Sequence, residues 1–180
     1  MKIMIGTANK SQVKKIDDGC KNYKEAYNSK YSKFLYLGNW IEKESNIFKN
    51  ETLKKDGNKP NFKMGEIIRI DFGINVGSEL SNTHFAIVLN NDDNVSVDNI
   101  TVLPLTSKPG YKRLYVGDIL KPFNQNGKYS NKGYALITQI TTISKKKIFK
   151  DNIKCYCNAE TLEKIDNEII KFLTKKLDTT

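Results

Sequence analysis

The chain has 180 residues, 38% of them hydrophobic and 28% charged, a balance that suits one real core and a small appendage in a soluble, globular protein. Lysine supplies nearly all of a formal charge of +10, so the surface field should attract polyanions such as RNA, DNA or an acidic protein partner. No apolar run has membrane-spanning length, and the three cysteines, Cys20, Cys155 and Cys157, lack the spacing of a disulfide framework.

Met1 to Gly6 is too short for the apolar core of a secretion signal, which makes a reducing cytoplasm the expected setting. From about Asn9 to Phe48, apolar residues fall at Val13, Ile16, Cys20, Tyr23, Tyr27, Tyr31 and Phe34. Steps of three and four trace one face of a helix. A break is expected at Gly38-Asn39, followed by a second amphipathic piece around Trp40, Ile41, Ile47 and Phe48. Asn50 to Lys63 is polar, contains Gly57 and Pro60, and reads as a linker, so residues 1–62 form a helical extension and residues 63–180 a second domain. Interleaved lysine and tyrosine could stack on nucleobases, but a tyrosine stripe at helical spacing is ordinarily a packing face, and packing is the reading adopted.

After the linker the period changes to two. Ile68, Ile70 and Phe72 alternate with Arg69 and Asp71, Phe85 to Leu89 is a continuous apolar run, and Ile100 to Leu105 is a third strand with Pro104 near its end. Further strands are expected over Tyr111 to Leu120, Tyr134 to Ile140 and Ile153 to Cys157. Arg69 and Asp71 read as a cross-strand surface pair, and Lys145-Lys146-Lys147 as a solvated turn. Cys155 and Cys157 lie two apart and on a strand share a face, which suits core packing. No second cysteine pair or second histidine exists to complete a tetrahedral metal site, and no metal or other cofactor is expected. The chain closes on a helix with Asn158 as N-cap, Glu160 and Glu163 in the first turns, an apolar stripe through Leu162, Ile165, Ile169, Leu173 and Leu177, and Lys171, Lys175 and Lys176 at the negative end of the dipole. The fold class expected is mainly β with helices: a compact antiparallel barrel or half-open sheet with a helix against one side.

Chemistry-bearing residues concentrate between Gly65 and Lys108. Gly77-Ser78-Glu79 and the sole histidine, His84, lie between the first two strands, and Thr106-Ser107-Lys108 ends the third. A small β-fold can gather such strand ends around an anionic substrate.

Five segments in order, GEIIRIDFG, Gly77-Ser78-Glu79, HFAIVLNND, VLPLTSK and YALITQITTISKKKI, resemble the MazF/PemK family of toxin endoribonucleases from toxin–antitoxin pairs. The resemblance spans about Met64 to Leu177 and leaves the first sixty residues unexplained. It implies an SH3-like barrel, a homodimer, metal-independent cleavage of single-stranded RNA at short sequences, and inhibition by a cognate antitoxin. The family's catalytic arginine falls on His84 and its threonine on Thr106, its loop glutamate on Glu79 and its glutamine on Gln139. The proline that usually follows the arginine is Phe85 here. Imidazole exchanges a proton near neutral pH, whereas guanidinium is a fixed bidentate cation. On this resemblance His84 is general acid or phosphate clamp, Thr106 a donor to the non-bridging oxygens, and Glu79 the base or an orienter. Ser78, Ser107, Lys108 and Gln139 are RNA contacts.

Each residue also has a plain structural reading: a lone histidine at a strand start is ordinarily a satisfied structural group, Thr106 could simply end a strand, and Glu79 could cap a turn. Two other functions stay open. One is a catalytically silent relative that binds nucleic acid or an antitoxin peptide; the other is a gyrase-directed toxin, which the C-terminal Leu177-Asp178-Thr179-Thr180 disfavours because such relatives share an aromatic tip.

Overall fold

The computed structural model describes residues 10–29, 31–53, 59–124, 126–127, 130–150 and 154–174. It divides into two compact units, residues 1–49 and residues 50–180.

The first unit contains helix α1 (Lys10–Tyr27), a 3-10 turn (Ser32–Tyr36) and most of helix α2 (Leu37–Thr52). The interruption comes earlier than the glycine suggested. At the end of α1 the Ser29 N–H bonds back to the Ala26 carbonyl, tightening the last turn, and Tyr31 then takes an extended conformation. Gly38 sits inside α2, where the helical hydrogen-bond ladder outweighs one residue's weak propensity. Leu37 and Trp40 are buried, but α1 buries none of its residues, so the stripe expected to be a packing face is largely open.

The second unit is built on strands β1 (Ile67–Asp71), β2 (Thr83–Val88), β3 (Asn99–Thr106), β4 (Arg113–Tyr115), β5 (Tyr134–Leu136) and β6 (Thr141–Ser144), all pairs antiparallel, with helix α3 (Ala159–Leu173) at its end. The order is β1-β2-β3-β5-β4, and β6 pairs with β3 as well. The ladders leave the sheet open between β6 and β1. A single bridge, Ile70 to Ile148, and the bond from Phe149 N–H to the Arg69 carbonyl span that gap.

Both faces of the sheet are covered, which explains why β2 and β3 read as continuous apolar runs rather than alternating ones. Ile67, Ile87, Leu103 and Leu105 pack on one face with Ile137 and with Ile165 of α3. On the other, Ile68, Ile70, Phe72, Ala86, Val88, Ile100, Val102 and Ile143 pack together with Phe62. Cys157 joins the first cluster, where burial pushes its thiol up to about 12, and Cys155 packs against it. The core reading of these two cysteines therefore holds.

Three strands are shorter than their sequence pattern predicts. Tyr111 to Leu120 yields only the three residues of β4, because Gly117 takes φ +93° and the chain turns so that Val116 and Leu120 both reach the core. Tyr134 to Ile140 is β5 followed by a 3-10 turn over Ile137–Gln139, which steps away from β3 before β6 rejoins it. Of Ile153 to Cys157, Ile153 lies outside the described residues, and the remainder makes only the bridge Tyr156 to Glu66.

The lysine run is not solvated throughout. Lys145 is 4% exposed and forms a buried ion pair with Asp93. On α3, Asn158 accepts from the Thr161 N–H at 2.8 Å as the expected N-cap, while Lys175, Lys176 and Leu177 lie outside the described residues.

Candidate active site

His84 is the second residue of β2, opposite Ile70. Continuing the β2–β3 register past its last pair, Ala86 with Pro104, brings His84 opposite Thr106. The β2–β3 ladder ends at the pair of Ala86 with Pro104, and β3 goes on to pair with β5 through Leu105 and Thr106. A cavity of about 780 Å³ opens beside the ends of β2 and β3. His84, Thr106, Ser107 and Lys108 all line it.

Both ring nitrogens of His84 face backbone carbonyls, Nδ1 at 3.3 Å from Leu105 O and Nε2 at 3.1 Å from Ser81 O. A neutral imidazole has one N–H, so only one of these contacts is a hydrogen bond until the ring gains a proton. Burial pushes the imidazole below its ordinary pKa, and the Leu105 and Ser81 carbonyls pull it the other way. The ring also meets Phe72 edge-on at 6.3 Å.

Thr106 is half-buried, and its Oγ1 accepts from the Lys108 N–H at 3.3 Å, which curls the strand end back and leaves Ser107 and Lys108 exposed. The loop between β1 and β2 is ordered by Asn75. Its backbone N–H donates to Ser81 Oγ at 2.9 Å, and its side-chain amide donates to the carbonyls of Leu80 at 2.6 Å and Phe72 at 3.1 Å. Gln139 Oε1 accepts from the Leu80 N–H at 3.3 Å, so the glutamine anchors this loop from the 3-10 turn. Ser78 and Glu79 are exposed in the loop and, like Gln139, do not line the cavity.

Sequence reasoning missed Arg69. Paired with Phe85 across β1 and β2, it lines the same cavity, its guanidinium carbon 4.3 Å from the centre of the Phe149 ring. The signal was present: Arg69 is one of two arginines in a lysine-rich chain, and it interrupts the apolar residues of β1. The cavity thus joins a fixed cation, an ammonium, an imidazole and the hydroxyls of Thr83, Thr106, Ser107 and Ser130, a donor set suited to a phosphodiester.

Residues 63–173, more than half of the chain, match the family described as PemK-like, MazF-like toxin of type II toxin-antitoxin system. The chain belongs to this toxin family. Among solved structures the toxin-family chain is similar to MazF from Deinococcus radiodurans, with 15% identity, a TM-score of 0.47 and coverage of 63% of this chain and 97% of that one. It is also similar to a mycobacterial endoribonuclease in complex with its cognate antitoxin, with 16% identity, a TM-score of 0.44 and coverage of 62% and 94%. Family membership rests on the family match and not on these likenesses. No curated protein shows significant similarity to the chain. No helix among the described residues is long and apolar enough to cross a membrane.

Proposed function

We infer that this toxin is an endoribonuclease that cleaves single-stranded RNA through the substrate's own 2′-hydroxyl. The observation that carries the reading is the convergence of His84, Thr106, Ser107, Lys108 and Arg69 on one cavity within the family-matched region.

In the proposed reaction the 2′-oxygen loses its proton to a base, attacks phosphorus, and the bond from phosphorus to the 5′-oxygen breaks as that oxygen gains a proton. The products are a 2′,3′-cyclic phosphate and a 5′-hydroxyl. Arg69 and Lys108 hold the phosphate charge, Thr106 and Ser107 donate to its non-bridging oxygens, and His84 supplies the proton to the leaving oxygen. A bound phosphate favours the imidazolium, reversing the effect of burial. The Ser81 contact is the one a substrate oxygen would replace, because Ser81 belongs to a loop whereas Leu105 is held in a strand ladder. Glu79, which stands outside the cavity in the β1–β2 loop, is the base or an orienter once the loop shifts toward bound RNA. No step in this sequence requires a metal. The 63–180 domain carries the activity, and residues 1–62 are an extension to it.

The inhibitor is a cognate antitoxin whose acidic segment competes with RNA for the basic cavity, consistent with a net charge of +10. The active form is a homodimer in the cytoplasm. Incubating the full chain with a long unstructured RNA in EDTA and mapping the ends tests the reading: 5′-hydroxyl and cyclic-phosphate ends support it, and intact RNA under all conditions overturns it. The engagement of both His84 ring nitrogens with carbonyls favours one second reading, a catalytically silent binder in which the histidine only braces the loop. Cleavage that His84→Ala abolishes excludes that reading.

A further inference from the structure

On α1, Val13, Ile16, Tyr23 and Tyr27 are between 45% and 62% exposed, so this stripe is not consumed by packing. Tyr23 and Tyr27 stand about one turn apart, roughly 6 Å along the axis. They wall one side of a cleft of about 520 Å³, and Leu37, Gly38 and Ile41 from the start of α2 wall the other. Cys20, Lys24 and Asn28 complete the lining. Lys10, Lys14, Lys21 and Lys24 follow one another at steps of four, seven and three, which puts them along one flank of the same helix, with the single carboxylate of Asp17 between Lys14 and Lys21. The cleft therefore offers flat apolar walls, one ammonium and one carboxamide, beside a row of cations.

We propose that this cleft takes an unpaired nucleobase of single-stranded RNA, stacked on Tyr23 and Tyr27, while the lysine row contacts the adjoining phosphates. Stacking on tyrosine tolerates any base, and lysines that track a backbone are indifferent to sequence, so the extension adds affinity without adding sequence specificity. The proposal deepens the ribonuclease reading and rests on single-stranded RNA being the substrate. An acidic peptide would meet the lysines equally well, but it has no general use for a slot between aromatic and aliphatic walls.

Gly38 supplies a variant that blocks the cleft without disturbing the helix. A Cβ built there meets nothing within 4 Å, and the residue is helical, so Gly38→Leu extends a side chain into open space. Gly19 on α1 is equally open but does not line the cleft, which makes Gly19→Leu the matched control. The full-length proteins are titrated with a fluorescent oligo(dT), which lacks the 2′-hydroxyl and so reports binding without cleavage. Gly38→Leu is expected to weaken binding by about fivefold or more, the loss of one stacked base, with Gly19→Leu at the wild-type value. In the wild type, saturating oligo(dT) is expected to slow alkylation of the exposed Cys20, read by mass spectrometry, while the buried Cys157 stays unmodified.

Wild-type affinity in Gly38→Leu, or an unprotected Cys20 at saturating oligonucleotide, overturns the proposal. Protection of Cys20 by an acidic peptide but not by oligo(dT) also overturns it and assigns the cleft to a protein. The RNA cleavage assay in EDTA is scored separately. Cleavage by the wild type with unchanged binding in Gly38→Leu leaves the ribonuclease reading intact and removes this inference, whereas intact RNA with weakened oligo(dT) binding in Gly38→Leu does the reverse.

Discussion

Lys145 and Asp93 form an ion pair at 2.6 Å with both side chains almost wholly withdrawn from solvent. The ammonium also donates to the carbonyls of Pro60 at 3.1 Å and Asn94 at 2.8 Å. Asp93 Oδ2 accepts from the Phe62 N–H at 2.9 Å. One pair therefore ties the chain ahead of β1, the β2–β3 loop and the turn after β6.

Lys145→Ala is expected to destabilise the protein by about 3–5 kcal/mol, because it strands a buried carboxylate. Combining Lys145→Met with Asp93→Leu should recover part of that loss by removing both charges. Urea melts followed by circular dichroism measure both, and a cost below about 1 kcal/mol for Lys145→Ala would mean that the pair is solvated in solution.

His84 sets a pH dependence whose sign follows from its surroundings. Burial lowers its pKa from the ordinary 6.5, so just below that pH the unfolded chain binds more protons than the folded one. The resulting stabilisation is complete above pH 6.5 and is lost as pH falls through the lowered folded value. Wild-type stability should therefore show an acid limb that His84→Ala lacks. As His84 is the only histidine, its imidazole NMR signals titrate without overlap and should move to higher pH when RNA binds.

Thr106→Val keeps the shape of the strand end but removes the hydroxyl from the cavity. Cleavage should fall by about 100- to 1,000-fold if that hydroxyl donates to the phosphate in the transition state. The circular dichroism spectrum should not change. A loss below tenfold would assign Thr106 to strand termination alone.

Arg69 and Lys108 separate by geometry rather than by charge. Arg69→Lys retains the cation but not the planar fork, so it should restore only part of the cleavage lost in Arg69→Ala. Removing either residue should lower the salt dependence of RNA binding by about one phosphate contact. An unchanged salt slope in Arg69→Ala would place the guanidinium in a purely structural role over Phe149.

Gly65 has φ +80°, and a Cβ there would lie 3.1 Å from Leu162 Cδ1 on α3. Gly65→Ala should cost more than about 1 kcal/mol, since the backbone conformation and the helix contact both oppose it. Thermal denaturation decides this.

Much of the second unit was legible because its signals are local. Ile68, Ile70 and Phe72 alternate as a strand must, and Asn158 ahead of Glu160 and Leu162 announces a capped helix. Less legible were the elements whose limits depend on what lies across from them. The 3-10 turn over Ile137–Gln139 arises where β5 and β6 share one edge of β3, and nothing within YALITQITTIS distinguishes that from a single strand. In the candidate site, His84, Thr106, Ser107 and Lys108 were found from strand ends and motif order, while Arg69 was overlooked because a charge alternating with apolar residues reads as a solvated face.

By itself the sequence determined the two textures of the chain, the periods of its helices and main strands, its positive charge and the motifs of a toxin family, all of which are written in neighbouring residues. Only the tertiary structure decided that Arg69 shares a cavity with His84 and Thr106, that Lys145 is buried on Asp93, and that the tyrosines of α1 stay open. Exposure and encounter depend on which distant segments come together. That depends on how the whole chain buries its apolar surface, and no local pattern encodes it.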